Sequence, residues 1–487
     1  MSQAEQDQGL TLRDKLLRDT FTPAETFLSC LILVSSVAVL YPGQPRSYWL
    51  LGFFLIAGAL TPMLLKTHET THPFFVDSLW SRFFWLTAPF WLLLLCFVAG
   101  LLQSPLESIQ LEGNSYKRLL PVNIWQPTTT GALSSWLPLL AFGCILMLGS
   151  TMFIIPKSLS YFERILPWLC LTASMACIFG YMQQIGGRTA PFYAREHASG
   201  DFFSSFAYDG HWAAYALLWM SVCFCFALRH LQYAKHYPVS KTIAPWYLSG
   251  ALLLGYSGLF IEARLPAALL LLYFAALTIL YTVAYLRRPG NRRRIATGTA
   301  AALLASVAAG NAILRLIQPQ PADVTAEALR ASAWRMFLEN PLFGWGMDAF
   351  PHLSGYFQSD LLLGQPQGRA FSDILQMLAE FGVAGVLPMV VAISWLLIRY
   401  FRGRHDFLFP NILLVACLGV FLLSWMDSPF MSPAVFYSFL ILFFSALRWA
   451  DLSRKNVDEV DARTVLVTDS KLRRVPVYKG PKNESFK

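Results

Sequence analysis

Charge is scarce in this chain of 487 residues. Lys, Arg, Asp and Glu together make up 14% of it, against 55% hydrophobic residues. A soluble chain of this length needs far more polar surface to cover its core, so a string of soluble domains is excluded. Paired cysteines are also missing. All eight cysteines (30, 96, 144, 170, 177, 223, 225 and 417) fall inside apolar runs and none forms CxxC. They read as packing residues, with neither disulfide nor metal expected from them. No HExxH, DxD or paired-His spacing occurs, so no metal site and no cofactor are expected. There is no internal repeat and no low-complexity segment. The first 24 residues are polar and precede the first apolar run, which has no small-residue cleavage pattern behind it. That run reads as a retained span.

What the chain does have is apolar length. Twelve stretches approach the roughly 20 residues that cross a bilayer: 26–41, 48–65, 83–103, 135–155, 165–183, 211–228, 246–262, 265–286, 295–314, 373–398, 410–425 and 432–449. The expected fold class is therefore an all-α polytopic membrane protein of about 12 transmembrane helices. Its parts are a cytoplasmic segment 1–25, helices 1–9 in 26–314, a loop subdomain in 315–372, helices 10–12 in 373–449, and a disordered cytoplasmic tail 450–487. Placing the N-terminus inside assigns 28 of the 38 basic residues to the cytoplasm and 10 to the far side. Short loops such as "LRRPGNRRR" (286–294) and "RYFRGR" (399–404) agree with that choice, as the positive-inside rule requires. The net charge of +9 thus reports membrane orientation, with anionic lipid contact secondary, and implies no nucleic acid.

This sidedness leaves three long outer loops, 104–134, 184–210 and 315–372. In the last, "DVTAEALRASAWRMFLENP" has helical spacing, with Ala328, Ala331, Trp334 and Phe337 on one apolar stripe and Pro341 ending it. "FGWGMDAF" follows, with glycines for a tight turn, so a small membrane-hugging subdomain carrying short helices is expected. Three histidines fall outside: His197, His211 and His352. The outer face also collects Arg264, Arg195, Arg330, Arg335 and Arg369. Interfacial charge in an apolar chain is costly, so it faces a cavity or a partner. The plainer alternatives are a local Arg264–Glu262 pair and an exposed helix face for Arg330 and Arg335. The helix opening at "FSDILQMLAEFGVAG" (371–385) puts Asp373, Gln376 and Glu380 on one face. Asp373 lies by the helix N-terminus, where the dipole stabilises its anion, or it simply caps the helix or pairs with Arg369. Glu380, deeper and desolvated, is the better-placed proton acceptor, unless it only hydrogen-bonds across the bundle.

Arginines grip phosphate oxygens in a forked, two-point manner, so this set suits a pyrophosphate. Nucleotides are not normally available outside the inner membrane. The donor would then be an activated, lipid-anchored glycan.

Four segments in order resemble the O-antigen ligase/polymerase-like membrane glycosyltransferases. "ASGDFFSSFAYDGHWAAYALL" (198–218) is similar to that family's Gly/Phe-rich segment leading into a helix. "EARLPAALLLL" (262–272) resembles the motif in which an Arg opens a helix at the outer face. "WRMFLENPLFGWGMDAF" (334–350) resembles its Trp-to-Pro-Gly-x-Gly segment. "FSDILQMLAEFGVAG" resembles the histidine-plus-small-polar motif followed nine residues later by GxxG. The resemblance spans roughly 190–395. It implies a periplasm-facing enzyme of the bacterial inner membrane, with both termini cytoplasmic. Such an enzyme moves a glycan from a polyprenyl-pyrophosphate donor to a glycolipid or glycan acceptor without a metal, in surface polysaccharide biosynthesis. On this reading Arg264 would hold pyrophosphate with help from Arg195 or Arg369, and Arg330, Arg335 and His211 would line the same region.

One position departs from the pattern. Where the family has the histidine thought to act as base, this chain has Phe371, although Ser372, Gly382 and Gly385 fit. Either Asp373, Glu380 or His352 takes the proton, or the chain binds lipid-linked glycan without transferring it. A general base contributes about 10²–10⁴-fold, so losing one need not abolish transfer. A secondary transporter is the rival of another class, but the two halves show no pairing and the largest loop lies outside.

Overall fold

The structure is a computed structural model describing residues 21–40, 48–71, 76–111, 114–130, 132–188, 202–233, 242–287, 294–318, 322–358, 368–403 and 408–473. Among these are fourteen α-helices and one hairpin. In chain order they are α1 (Pro23–Ala38), α2 (Tyr48–Thr71), α3 (Val76–Gly100), β1 (Leu106–Leu111), β2 (Asn114–Leu119), α4 (Ala132–Ile154), α5 (Leu159–Ile185) and α6 (Asp209–Tyr233). There follow α7 (Ala244–Tyr256), α8 (Arg264–Leu286), α9 (Arg294–Ile317), α10 (Ala322–Glu339), α11 (Phe350–Phe357), α12 (Asp373–Phe401), α13 (Leu408–Leu423) and α14 (Pro433–Arg473).

Each of the twelve apolar stretches falls on a helix. Among the described residues, eight helices are long and apolar enough to cross a membrane: α3, α4, α5, α6, α8, α9, α12 and α14. The fold is thus all-α apart from the hairpin. α1, α13 and the apolar part of α2 are shorter, and α7 has 13 residues, about 20 Å of helix. In hydrocarbon a backbone must satisfy itself, which is why the apolar runs coil into helices. α1 begins with a capping box: the Glu25 backbone N–H donates to Thr22 Oγ1 (3.3 Å), and the Thr22 N–H donates to the Glu25 carboxylate (3.0 Å).

α6 is the hub. Its span is buried from end to end, against α5, α7, α8, α13 and α14. α9 and α12 lie at the periphery, with few fully buried residues along their apolar lengths. A second, smaller core caps one end of the bundle. There Leu329, Ala333 and Met336 of α10, Trp345, and Phe350 and Leu353 of α11 pack with Leu106 and Leu119 of the hairpin.

Three expectations need correction. The 104–134 loop contains the antiparallel pair β1–β2, in register Leu106↔Leu119 to Leu111↔Asn114. In α10 the buried positions are Leu329, Ser332, Ala333 and Met336, on the face roughly opposite the expected stripe, while Trp334 is 45% exposed. Packing against the cap selects this face and leaves Trp334 turned outward. The segment after 450 is helical as far as Arg473 rather than structureless. No Gly or Pro occurs between Pro433 and Pro476 to break the helix.

Candidate functional site

The site sits where the cap meets the bundle, around the turn Ser424–Ser432 between α13 and α14. Starting points of two long helices grip this turn. At α12, Ser372 caps the helix by accepting from Leu375 N–H (3.3 Å) and donates its own hydroxyl to Ser424 O (3.2 Å). Asp373 Oδ2 accepts the Phe430 N–H at 2.7 Å, and Asp373 N–H donates to Asp427 O at 3.3 Å. At α6, His211 Nε2 lies 2.9 Å from Ser428 O, so this nitrogen carries the proton. Tyr208, edge-on to the His211 ring, donates its hydroxyl to Asp427 Oδ2 (3.0 Å), while Ser428 N–H donates to Asp427 Oδ1 (2.7 Å). From α10, Arg330 donates to Met426 O (3.1 Å).

Arg369 completes the cluster. Its guanidinium lies over the Tyr208 ring (4.0 Å) and over the Phe371 ring (4.3 Å). Each such contact contributes about 0.5–2 kcal/mol, more as water is excluded. Phe371 adopts φ 51°, a left-handed conformation that costs a non-glycine residue about 1–2 kcal/mol. Burial raises the Asp427 carboxyl above its usual range, against the opposing pull of Ser428 N–H, Arg369, Tyr208 and Arg330. Burial likewise raises the Tyr208 phenol, and the Asp427 charge adds to it. The arrangement therefore offers a fixed cation beside two buried carboxyls and a phenol.

Six of the expected residues meet here: Arg369, Arg330, His211, Asp373, Ser372 and Phe371. Sequence reasoning missed Tyr208 and Asp427. A signal for Asp427 existed, since it is an acidic residue in the short turn between two apolar runs.

Arg264 lies in a neighbouring cluster. As first residue of α8, it donates to Leu316 O near the C-terminus of α9, where a cation also suits the helix dipole. The turn before it is clamped from both sides. Asp209 Oδ2 accepts the Glu262 N–H and the Ala263 N–H (3.1 Å), and Arg315 donates to Ile261 O and to Leu259 O (3.0 Å). The two clusters adjoin through consecutive residues: Tyr208 carries Arg369, and Asp209 holds the backbone leading into Arg264. Arg315 and Asp209 were also missed from sequence.

Glu380 is buried and makes the hydrogen bonds across the fold that were the alternative to its role as proton acceptor. Its Oε1 accepts from Phe350 N–H (3.3 Å) and Gln376 Nε2 (3.0 Å), and its Oε2 accepts from Asp348 N–H (3.1 Å). It caps α11 and pins the cap to α12. The shared face of Asp373, Gln376 and Glu380 is indeed buried, but as a structural seam. Arg335 donates to Phe357 O (3.5 Å), closing α10 onto α11. His352 lies half-buried on α11, with no described contact to the cluster. Arg195 and His197 lie outside the described residues. Among the described residues, no group of three or more His, Cys, Asp or Glu gathers to hold a metal.

No family model matches the chain, and no curated protein matches it.

Proposed function

We propose that the chain is an O-antigen ligase-like glycosyltransferase of a bacterial inner membrane, with twelve spans, cytoplasmic termini and a periplasm-facing site. The observation that carries this reading is the convergence of Arg369, Arg330, Tyr208, Asp373 and Asp427 on one turn at one end of an apolar bundle. Charge at a bilayer surface is retained for a partner, and guanidinium groups match pyrophosphate oxygens. Arg369 and Arg264, with Arg195 and Arg330, would hold the pyrophosphate of a polyprenyl-linked glycan. The acceptor hydroxyl oxygen bonds to the anomeric carbon as the bond from that carbon to the pyrophosphate oxygen breaks. The electron pair leaves with the lipid pyrophosphate. The hydroxyl proton passes to a carboxylate, for which Asp427 and Asp373 are better placed than Glu380. Ligation and polymerisation share this chemistry and differ only in the acceptor.

A second reading, binding of lipid-linked glycan without transfer, is favoured by one feature. At the motif position where a histidine is implied, the Phe371 ring packs against Arg369 instead.

Reconstituted membranes supplied with a lipid-pyrophosphate glycan and an acceptor separate the two. Transfer by the natural protein, reduced by about 10²-fold or more in Arg369→Ala and Arg264→Ala and raised in Phe371→His, is the expected result. Full transfer by Arg264→Ala removes that residue's role. No transfer by any form, with donor still bound, selects the second reading.

A further inference from the structure

Tyr208, the residue before α6, touches both the cation and a buried carboxyl of the site. Its ring lies 4.0 Å from the Arg369 guanidinium, and its hydroxyl donates to Asp427 Oδ2 at 3.0 Å. The ring is itself fixed on two further sides. It folds back over Gly210, where a Cβ would lie 2.5 Å from Tyr208 Cε1, and the His211 ring stands edge-on to it at 5.0 Å. His211 in turn reaches the carbonyl of Ser428, the residue after Asp427 (2.9 Å). The start of α6 thus presents the tyrosine as a fixed plate against the turn that carries the carboxyl.

Ring faces, not hydrogen bonds, hold Arg369. Its guanidinium lies over the Tyr208 and Phe371 rings and makes no hydrogen bond or ion pair with a described residue. A guanidinium carries five N–H donors in a planar fork, and contact through its face leaves that fork for the oxygens of a ligand. Asp427 is held in the opposite manner, by a donor at each oxygen: Ser428 N–H at Oδ1 (2.7 Å) and the Tyr208 hydroxyl at Oδ2. Arg330, bonded to Met426 O, and Asp373, whose N–H donates to Asp427 O, also stand against this carboxyl, as does Arg369. A hydrogen bond donated to the ionised form stabilises it, so the phenol favours the carboxylate against the effect of burial.

We propose that Tyr208 is a positioning residue with two separable tasks: its ring fixes Arg369 with the guanidinium fork open to phosphate oxygens, and its hydroxyl orients the Asp427 carboxylate as proton acceptor. The inference rests on the glycosyl-transfer reading and adds to it a residue that acts through Arg369 and Asp427 rather than on the reacting atoms. Ring and hydroxyl can be removed one at a time. Tyr208→Phe keeps the plate beside Arg369 and removes the donor to Asp427, whereas Tyr208→Leu removes both. Without that donor Asp427 binds its proton more tightly. Transfer needs the carboxylate, so on acidification it fails at a higher pH.

The test measures transfer against pH in reconstituted membranes, and separately the affinity of the purified full-length protein for polyprenyl pyrophosphate. Wild type, Tyr208→Phe and Tyr208→Leu are compared, with Tm alongside. Tyr208→Phe is expected to bind the donor within about twofold of wild type, while the acid limb of its transfer profile moves to higher pH. Tyr208→Leu is expected to bind it about fivefold more weakly, or worse. An unmoved acid limb in Tyr208→Phe overturns the hydroxyl's task, and wild-type affinity in Tyr208→Leu overturns the ring's. If Tyr208→Leu fails to fold, Tyr208→Phe still decides, since losing the donor with the ring in place overturns the ring's task. Wild-type protein that binds without transferring removes the proton acceptor and the hydroxyl's task with it, and the ring's task is then decided by affinity. Wild-type protein that neither binds nor transfers overturns the glycosyl-transfer reading itself, an outcome distinct from any result with the variants.

Discussion

Phe371 and Glu380 sit nine residues apart at the mouth of α12, and the fold uses them in opposite ways. Phe371 accepts a left-handed backbone, and its ring supports Arg369. Glu380 spends its carboxylate on the Asp348 and Phe350 N–H groups and the Gln376 amide. Glu380→Gln would turn an amide NH₂ toward one of those N–H donors, at a cost of about 1–3 kcal/mol. The expected outcome is a lower Tm with transfer falling in parallel and the pH profile unchanged. A variant with wild-type Tm and no transfer would instead make Glu380 the proton acceptor. Arg369, Arg330, Asp373 and His211 were legible in the sequence because charged and polar groups at the ends of apolar runs are few. Tyr208 was not, because a tyrosine before a helix is ordinary until the fold sets it 3.0 Å from Asp427, 219 residues away.

At the scale of elements, the cap is locked to the bundle by backbone meeting backbone. Trp345 and Gly346 N–H donate to Ala379 O (3.0 Å) and Glu380 O (2.8 Å), and Val383 and Ala384 N–H donate to Pro341 O and Leu342 O (both 2.9 Å). This crossing interrupts α12 at Gly382, with φ 60°. A Cβ there would lie 2.4 Å from Leu342 O, and one on Gly344 would lie 2.5 Å from the Glu380 carbonyl carbon. Gly382→Ala should therefore lower stability by about 3 kcal/mol or more, combining left-handed strain with overpacking. Gly310→Ala on α9, with nothing within 4 Å of the added carbon, should change it by no more than about 1 kcal/mol. Thermal unfolding in detergent measures both, and equal effects would contradict this description of the crossing. The "GVAG" stretch announced a special backbone but not its partner. The hairpin escaped notice because strands of six residues carry little periodicity. The α10 stripe was placed on the wrong face because Ala, Trp and Phe compete with Leu and Met for the buried side, and only packing decides.

Over the whole molecule, the long apolar helices were legible because hydrocarbon leaves a backbone few options, and length with hydropathy reports that directly. Which helix is central was not. α6 is no more apolar than its neighbours, and its burial follows from the packing of five others around it. The polar chemistry divides between the two ends. One carries Arg369, Arg264 and the buried carboxyls, and the other carries the Arg399–Asp451 pair. One measurement addresses the first end directly. Purified wild-type protein, Arg369→Gln and Arg264→Gln are titrated with polyprenyl pyrophosphate and with polyprenyl monophosphate. A pyrophosphate-gripping site predicts a preference of about tenfold or more for the diphosphate in wild type, lost in both variants. Equal affinity for the two lipids, or an undiminished preference in Arg369→Gln, would contradict the assignment of this end of the bundle to a lipid-pyrophosphate donor.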